Sequence, residues 1–204
     1  MIRLHEITGK ENLLDAFVAH YAQAGGFPLD KAYARRCRAF AFMNTAGKLL
    51  GGFLINEAAP FRSLNDMPEE ERNRILAMLD LDQTFEAMCF WFAREVRGTF
   101  KMMRIWAELL VFLKRFPRQH LLGCTVSKSL LRQYSAVPIT ILYEGQISTP
   151  NRVLDKYVFL SKGKKGFVQG IVREAWRRAK KIIIGLWTAQ SPKPALAAPT
   201  QRTT

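Results

Sequence analysis

Apolar and polar positions alternate through Ile2–Ile7, the period of a strand with one buried face. Thr8-Gly9 ends that pattern. Leu13, Leu14, Phe17, Val18 and Tyr21 then recur at helical spacing within Glu11–Ala24, and Gly25-Gly26 stop the helix because glycine tolerates the left-handed turn that closes one. A second helical stretch is predicted over Leu29–Arg36. Two apolar runs, Ala39–Asn44 and Leu49–Asn56, flank Thr45-Ala46-Gly47-Lys48 and predict a hairpin. Pro60–Asp66 reads as loop. Pro68 followed by Glu69, Glu70 and Glu71 marks a helix start, where the dipole favours acids, and that helix runs to about Leu79. Phe85–Val96 predicts a long strand. Phe100–Arg115 predicts a long helix with Met103, Trp106, Leu109, Leu110 and Leu113 on one face, ended by Pro117. A strand over His120–Val126, a short helix over Lys128–Tyr134, paired strands over Pro138–Tyr143 and Val153–Leu160, and a last helix over Gly166–Leu186 complete the order. Alternation of this kind predicts a mixed α/β domain whose sheet is covered by helices.

The chain has 204 residues, 49% of them hydrophobic, enough for one domain with a real core. Residues 1–165 read as that domain, 166–190 as a basic amphipathic helix, and 191–204, rich in Pro, Ala and Thr, as a disordered tail. No apolar run approaches the roughly 18–20 residues that span a bilayer. The first residues hold no signal-peptide h-region, so a cytoplasmic protein is expected. Cys37, Cys89 and Cys124 are widely spaced and form no CxxC. Three reduced core thiols are expected, with neither a disulfide framework nor a metal site.

Charge changes the picture more. Residues 1–90 carry 10 basic and 12 acidic side chains, whereas residues 91–204 carry 21 basic and 5 acidic. One half therefore holds the whole positive excess. A field of that sign attracts a nucleic acid, an anionic membrane surface, a phosphorylated cofactor or an acidic carrier protein. Within 152–181 there are ten Lys or Arg against two acids, and Val168, Ile171, Val172, Ala175, Trp176 and Ala179 recur at helical spacing. Such a helix docks on the sheet by its apolar stripe, lies in an anionic membrane interface, or meets a nucleic acid or an acidic protein. No homeodomain, zinc-finger or RNA-recognition pattern accompanies the basic residues.

The element order over about residues 1–160 resembles the GNAT acyltransferase superfamily. The resemblance implies a mixed, mostly antiparallel central sheet flanked by helices, here followed by an extra basic C-terminal helix. It also implies an Arg/Gln-x-x-Gly-x-Gly/Ala loop between the fourth strand and the long helix, whose backbone N–H groups hold a CoA pyrophosphate. Here Arg97-Gly98-Thr99-Phe100-Lys101-Met102 occupies that place, with Phe100 and Met102 where the family carries small residues. Arg97, Gly98, Thr99 and Lys101 are the candidate anion-binding residues.

The activity implied is acyl transfer from a thioester, acyl-CoA or acyl carrier protein, to a small amine, without a metal. Such transfer needs a base for the amine proton and an acid for the leaving thiolate. The resemblance points to a carboxylate on the fourth strand or the preceding hairpin, hence Glu86 or Glu57, and to a tyrosine on the short helix, hence Tyr134. From another class, the same residues fit a non-catalytic binding protein that holds an anionic partner through its basic half.

Overall fold

The computed structural model describes residues 1–25, 28–98, 100–128, 138–149 and 152–163, together with Leu131 and part of 166–180. Strand β1 (Ile2–Glu6) leads into helices α1 (Glu11–Gly25) and α2 (Lys31–Arg36), then into the hairpin of β2 (Arg38–Asn44) and β3 (Leu49–Asn56). Helix α3 (Glu69–Met78), strand β4 (Thr84–Phe92), helix α4 (Phe100–Arg115) and strand β5 (His120–Thr125) follow. The strands β6 (Thr140–Thr149) and β7 (Arg152–Ser161) close the sheet. Its order is β1-β2-β3-β4-β5-β7-β6, antiparallel throughout except between β4 and β5.

Helices cover both faces. On one, α1 and α2 bury Leu14, Phe17 and Ala34 against Ala39, Ala41, Leu54, Met88 and Trp91. On the other, α4 buries Ile105, Leu109 and Leu113 against Phe40, Phe42, Phe53 and Phe85. All eight residues of β3 are buried, as a strand covered on both faces requires. Residues 61–67 and α3 close the far end over β5 and β7, with Phe61, Leu64 and Ile75 against Leu122, Val158 and Leu160. The outer edge of β1 is capped by α4: Arg104 Nε donates to the Ile2 carbonyl at 3.3 Å, and Leu4 N donates to Glu108 Oε2 at 3.4 Å. Capping an edge strand with side chains removes a template for unwanted pairing.

Two elements differ from the sequence expectation. Strand β4 stops at Phe92 rather than Val96. Ala93 N makes a last bond across to the Leu50 carbonyl (2.9 Å), and Val96 N then turns back to the Ala93 carbonyl (3.1 Å). Val96 is fully buried from this 3-10 turn, which is why the apolar run looked like more strand. Strand β6 begins later, at Thr140, and extends to Thr149. Its polar stretch Glu144-Gly145-Gln146 pairs with Tyr157, Lys156 and Asp155, because a ladder at the sheet edge is held by backbone groups whatever the side chains. The short helix expected over Lys128–Tyr134 and the tail 191–204 lie largely outside the described residues. Of the last helix, the described positions between 166 and 180 are helical. Val168 packs against the core, while Val172 and Trp176 are exposed.

Candidate active site

Strands β4 and β5 pair at only three positions, Thr84 with His120, Phe85 with Leu121 and Glu86 with Leu122. Beyond Glu86 they part. Strand β4 bulges there: its register against β3 shifts between Gly52 and Leu54, and Cys89 takes a φ of 56°. A left-handed conformation costs a non-glycine residue about 1–2 kcal/mol. A bulge re-aims the side chains that follow it. Phe90 is consequently 40% exposed in the middle of an inner strand, stacked on buried Phe53 at 5.0 Å. Across the gap, Cys124 of β5 is exposed between buried Gly123 and Thr125. The parted strands leave a cleft through the sheet, with Phe90 exposed on the α4 face and Cys124 on the face covered by residues 61–67.

Before the start of α4, Gly98 has a φ of 69°, and a Cβ built there would touch nothing within 4 Å. The turn is therefore left-handed and open. Arg97 is drawn back, its Nε donating to the Phe92 carbonyl at 2.9 Å. Lys101 is exposed on the first turn of α4, close enough to Glu95 to help hold that carboxyl below its usual range, after the larger effect of the Lys48 hydrogen bond. Phe100 is 62% exposed, whereas Met102 is buried in the core under the sheet. The last position where the resemblance implies a small residue is therefore occupied by a core residue. Thr99 and Tyr134 lie outside the described residues.

Where β4 and β5 part, Glu86 is fully buried. Its Oε2 accepts from the Tyr33 hydroxyl (3.0 Å) and from Arg62 N (3.0 Å), and its Oε1 accepts from Ser63 N. Asn56, opposite Glu86 in the ladder, donates through Nδ2 to the Tyr33 oxygen (2.9 Å) and to the Pro60 carbonyl (3.0 Å). Burial and the neighbouring Glu86 charge push the Tyr33 pKa up, so its phenol stays protonated. Arg62 extends over the same face, donating through Nη2 to the Pro28 carbonyl (2.8 Å) and through Nη1 to Cys89 Sγ (3.6 Å). Glu86 is thus brought to the cleft but sealed from it. Its carboxylate positions Tyr33 and the 60–63 segment. Glu57, one residue beyond Asn56, faces the opposite side of the sheet. There it pairs with Arg38 at 3.3 Å, and Arg38 lies over the rings of Phe40 and Phe116. The structure therefore separates Glu57 from Glu86.

The chain pattern gave no sign of Tyr33, Arg62, Ser63 or Lys156 as site residues. They come from α2, a loop and the seventh strand, and only the fold gathers them. Among the described residues, no group of His, Cys, Asp and Glu is placed to hold a metal, and no described helix is long and apolar enough to cross a membrane. A separate groove of about 400 Å³, lined by Met1, Arg3, His5 and Met43 among others, lies at the β1 edge, away from every candidate residue.

Solved structures share this arrangement. The CoA-dependent acyl-homoserine lactone synthase MesI matches over 86% of this chain and 95% of its own, with a TM-score of 0.56 and 15% identity. FeeM, an N-acyl amino acid synthase from uncultured soil microbes, matches over 78% and 90%, at 0.54 and 14%. The acetyltransferase yncA of Salmonella typhimurium, solved with acetyl-CoA, matches over 79% and 92%, at 0.50 and 11%. This chain has the GNAT fold. No protein-family model matches the sequence, and no curated protein matches it either. In this chain the β4–β5 pair parts after Glu86, and the turn into α4 carries Phe100 and Met102.

Proposed function

We propose that this protein transfers an acyl group from a thioester, acyl-CoA or acyl carrier protein, to a small amine. The observation that carries this reading is the cleft: a parallel strand pair that separates after three residue pairs, beside an open left-handed turn at a helix N-terminus. The start of α4, with Gly98 before it and Lys101 on its first turn, suits the anionic end of the donor, because unpaired N–H groups and the helix dipole favour an anion there. Arg97 adds charge once it releases the Phe92 carbonyl. Met102, sunk in the core, narrows the backbone available, which favours a donor held partly by side-chain cations. Phe90 offers an apolar wall for the acyl chain.

In the transfer, the amine nitrogen attacks the thioester carbonyl, the C–N bond forms, the nitrogen gives up a proton to water in the cleft, and the C–S bond breaks as the thiolate leaves. Tyr134 is the proposed acid for that thiolate. Glu86 supports the acceptor side by fixing Tyr33 and the 60–63 segment. The experiment is turnover measured by mass spectrometry with acetyl-, octanoyl- and palmitoyl-CoA and the matching acyl carrier proteins, against a mixture of primary amines. Acylated amine is expected with at least one donor. No binding and no turnover with any of them would defeat the reading.

A second proposal rests on the charged half. Trp176 and Val172 are 72% and 50% exposed beside the exposed Arg173 and Lys180. An apolar stripe left uncovered among cations fits contact with an anionic membrane surface.

A further inference from the structure

We propose that Lys156 and Ser63 form a carboxylate-binding pocket on the floor of the cleft beside Cys124, one that takes a carboxylate borne by the acceptor amine. The identity of the ligand as acceptor rests on the acyl-transfer reading; the pocket itself does not.

Cys124 of β5 stands opposite Val158 of β7, so Lys156, two residues along, shares their face as a diagonal neighbour at about 7–8 Å between backbones. The 62–65 segment lies over this face. Asn65 offers its carbonyl to the Lys156 ammonium, and Ser63 is held by its own N–H on Glu86. Cys124 is exposed to solvent on this face. Burial pushes that thiol's pKa up, and the Ser63 hydroxyl and Lys156 pull it back, so both groups lie around the sulfur.

Both groups have unfilled capacity. Lys156 is 4% exposed and uses one of its three N–H donors on Asn65; among the described residues it makes no ion pair. A lysine is almost never buried without a partner, because desolvating its charge is costly. Ser63 Oγ is buried and has no partner in hydrogen-bonding geometry among the described residues, its closeness to the Cys124 sulfur notwithstanding. Glu86, the buried carboxylate nearby, is already committed to three donors. Arg62 is committed to Pro28 and Cys89. Buried without an ion pair or a hydroxyl partner are thus one ammonium and one hydroxyl, a match for a singly charged carboxylate. A primary amine with a carboxylate close by would place its nitrogen toward the cleft while its anion meets Lys156.

Iodoacetate and iodoacetamide test the pocket on the full chain, since they differ only in carboxylate against carboxamide. In each case the Cys124 sulfur forms an S–C bond, iodide leaves, and the thiol proton passes to buffer. Cys37 and Cys89 are buried, and peptide mapping reads each thiol separately. We expect the iodoacetate-to-iodoacetamide rate ratio at Cys124 to exceed that of the urea-unfolded chain by about tenfold, the effect of one pKa unit of charge interaction. Lys156→Met should abolish the preference. Ser63→Ala should reduce it with no loss of thermal stability, because that hydroxyl has no protein partner to lose. Lys114→Met, at the exposed far end of α4, controls for net charge and should leave it unchanged. A folded-state ratio equal to the unfolded one, or an equal drop in Lys114→Met, would overturn the pocket. Free amino acids turned over in preference to their carboxamides would support the acceptor assignment, and equal turnover would overturn it. No turnover with any amine, alongside an intact alkylation preference, would defeat acyl transfer and leave the anion pocket standing.

Discussion

Glu86 concentrates the logic of the site in one side chain. A carboxyl group without solvent exposure needs hydrogen-bond donors around it, and Tyr33, Arg62 and Ser63 provide them. Removing it strands three groups at once. Glu86→Ala should therefore lower stability by about 2–4 kcal/mol in urea unfolding, with Glu86→Gln costing less because one oxygen remains. A cost under about 0.5 kcal/mol would mean that the 60–63 segment is held by other contacts. Sequence reading could nominate Glu86 from its place on an apolar strand. It could not tell a sealed carboxylate from one facing the cleft, because that depends on where Tyr33 and the 60–63 backbone come to rest. Glu57 was equally visible and equally undetermined, and alternation along β3 sends it to Arg38 instead.

Among elements, the turn from β4 into α4 decides whether a donor binds. The strand, the turn and the helix were all legible, since Gly98 interrupts the pattern and Phe100–Arg115 has one continuous apolar face. The bulge at Cys89 was not, because nothing in a run of Met, Cys, Phe and Trp says which residue leaves the ladder. Gly98 carries the clearest constraint. Its φ of 69° is strained for a β-branched residue, so Gly98→Val should cost about 1–2 kcal/mol locally and weaken CoA binding measured by calorimetry. Unchanged affinity would show that the phosphates lie elsewhere than this turn.

On the scale of the whole molecule, charge is divided along the chain. The net charge is −2 for residues 1–90 and +16 for residues 91–204. A field of this kind acts over about 10 Å at ordinary ionic strength, and the membrane proposal rests on it. The protein should sediment with phosphatidylserine-containing vesicles and not with pure phosphatidylcholine ones, and about 0.5 M salt should release it. Trp176→Ala should weaken the association further. Equal partitioning onto both vesicle types, or onto neither, would refute the membrane proposal.

The sequence by itself determined the element order and the division of charge, because periodicity and composition are local properties that survive without a fold. It also located the turn at Gly98. Only the tertiary structure decided that β4 and β5 part after Glu86, that Glu86 is sealed while Cys124 is open, and that Lys156 is buried under the 62–65 segment. Those outcomes depend on contacts between residues as many as 91 positions apart, which no local pattern encodes. They are also the ones from which the chemistry of the cleft follows.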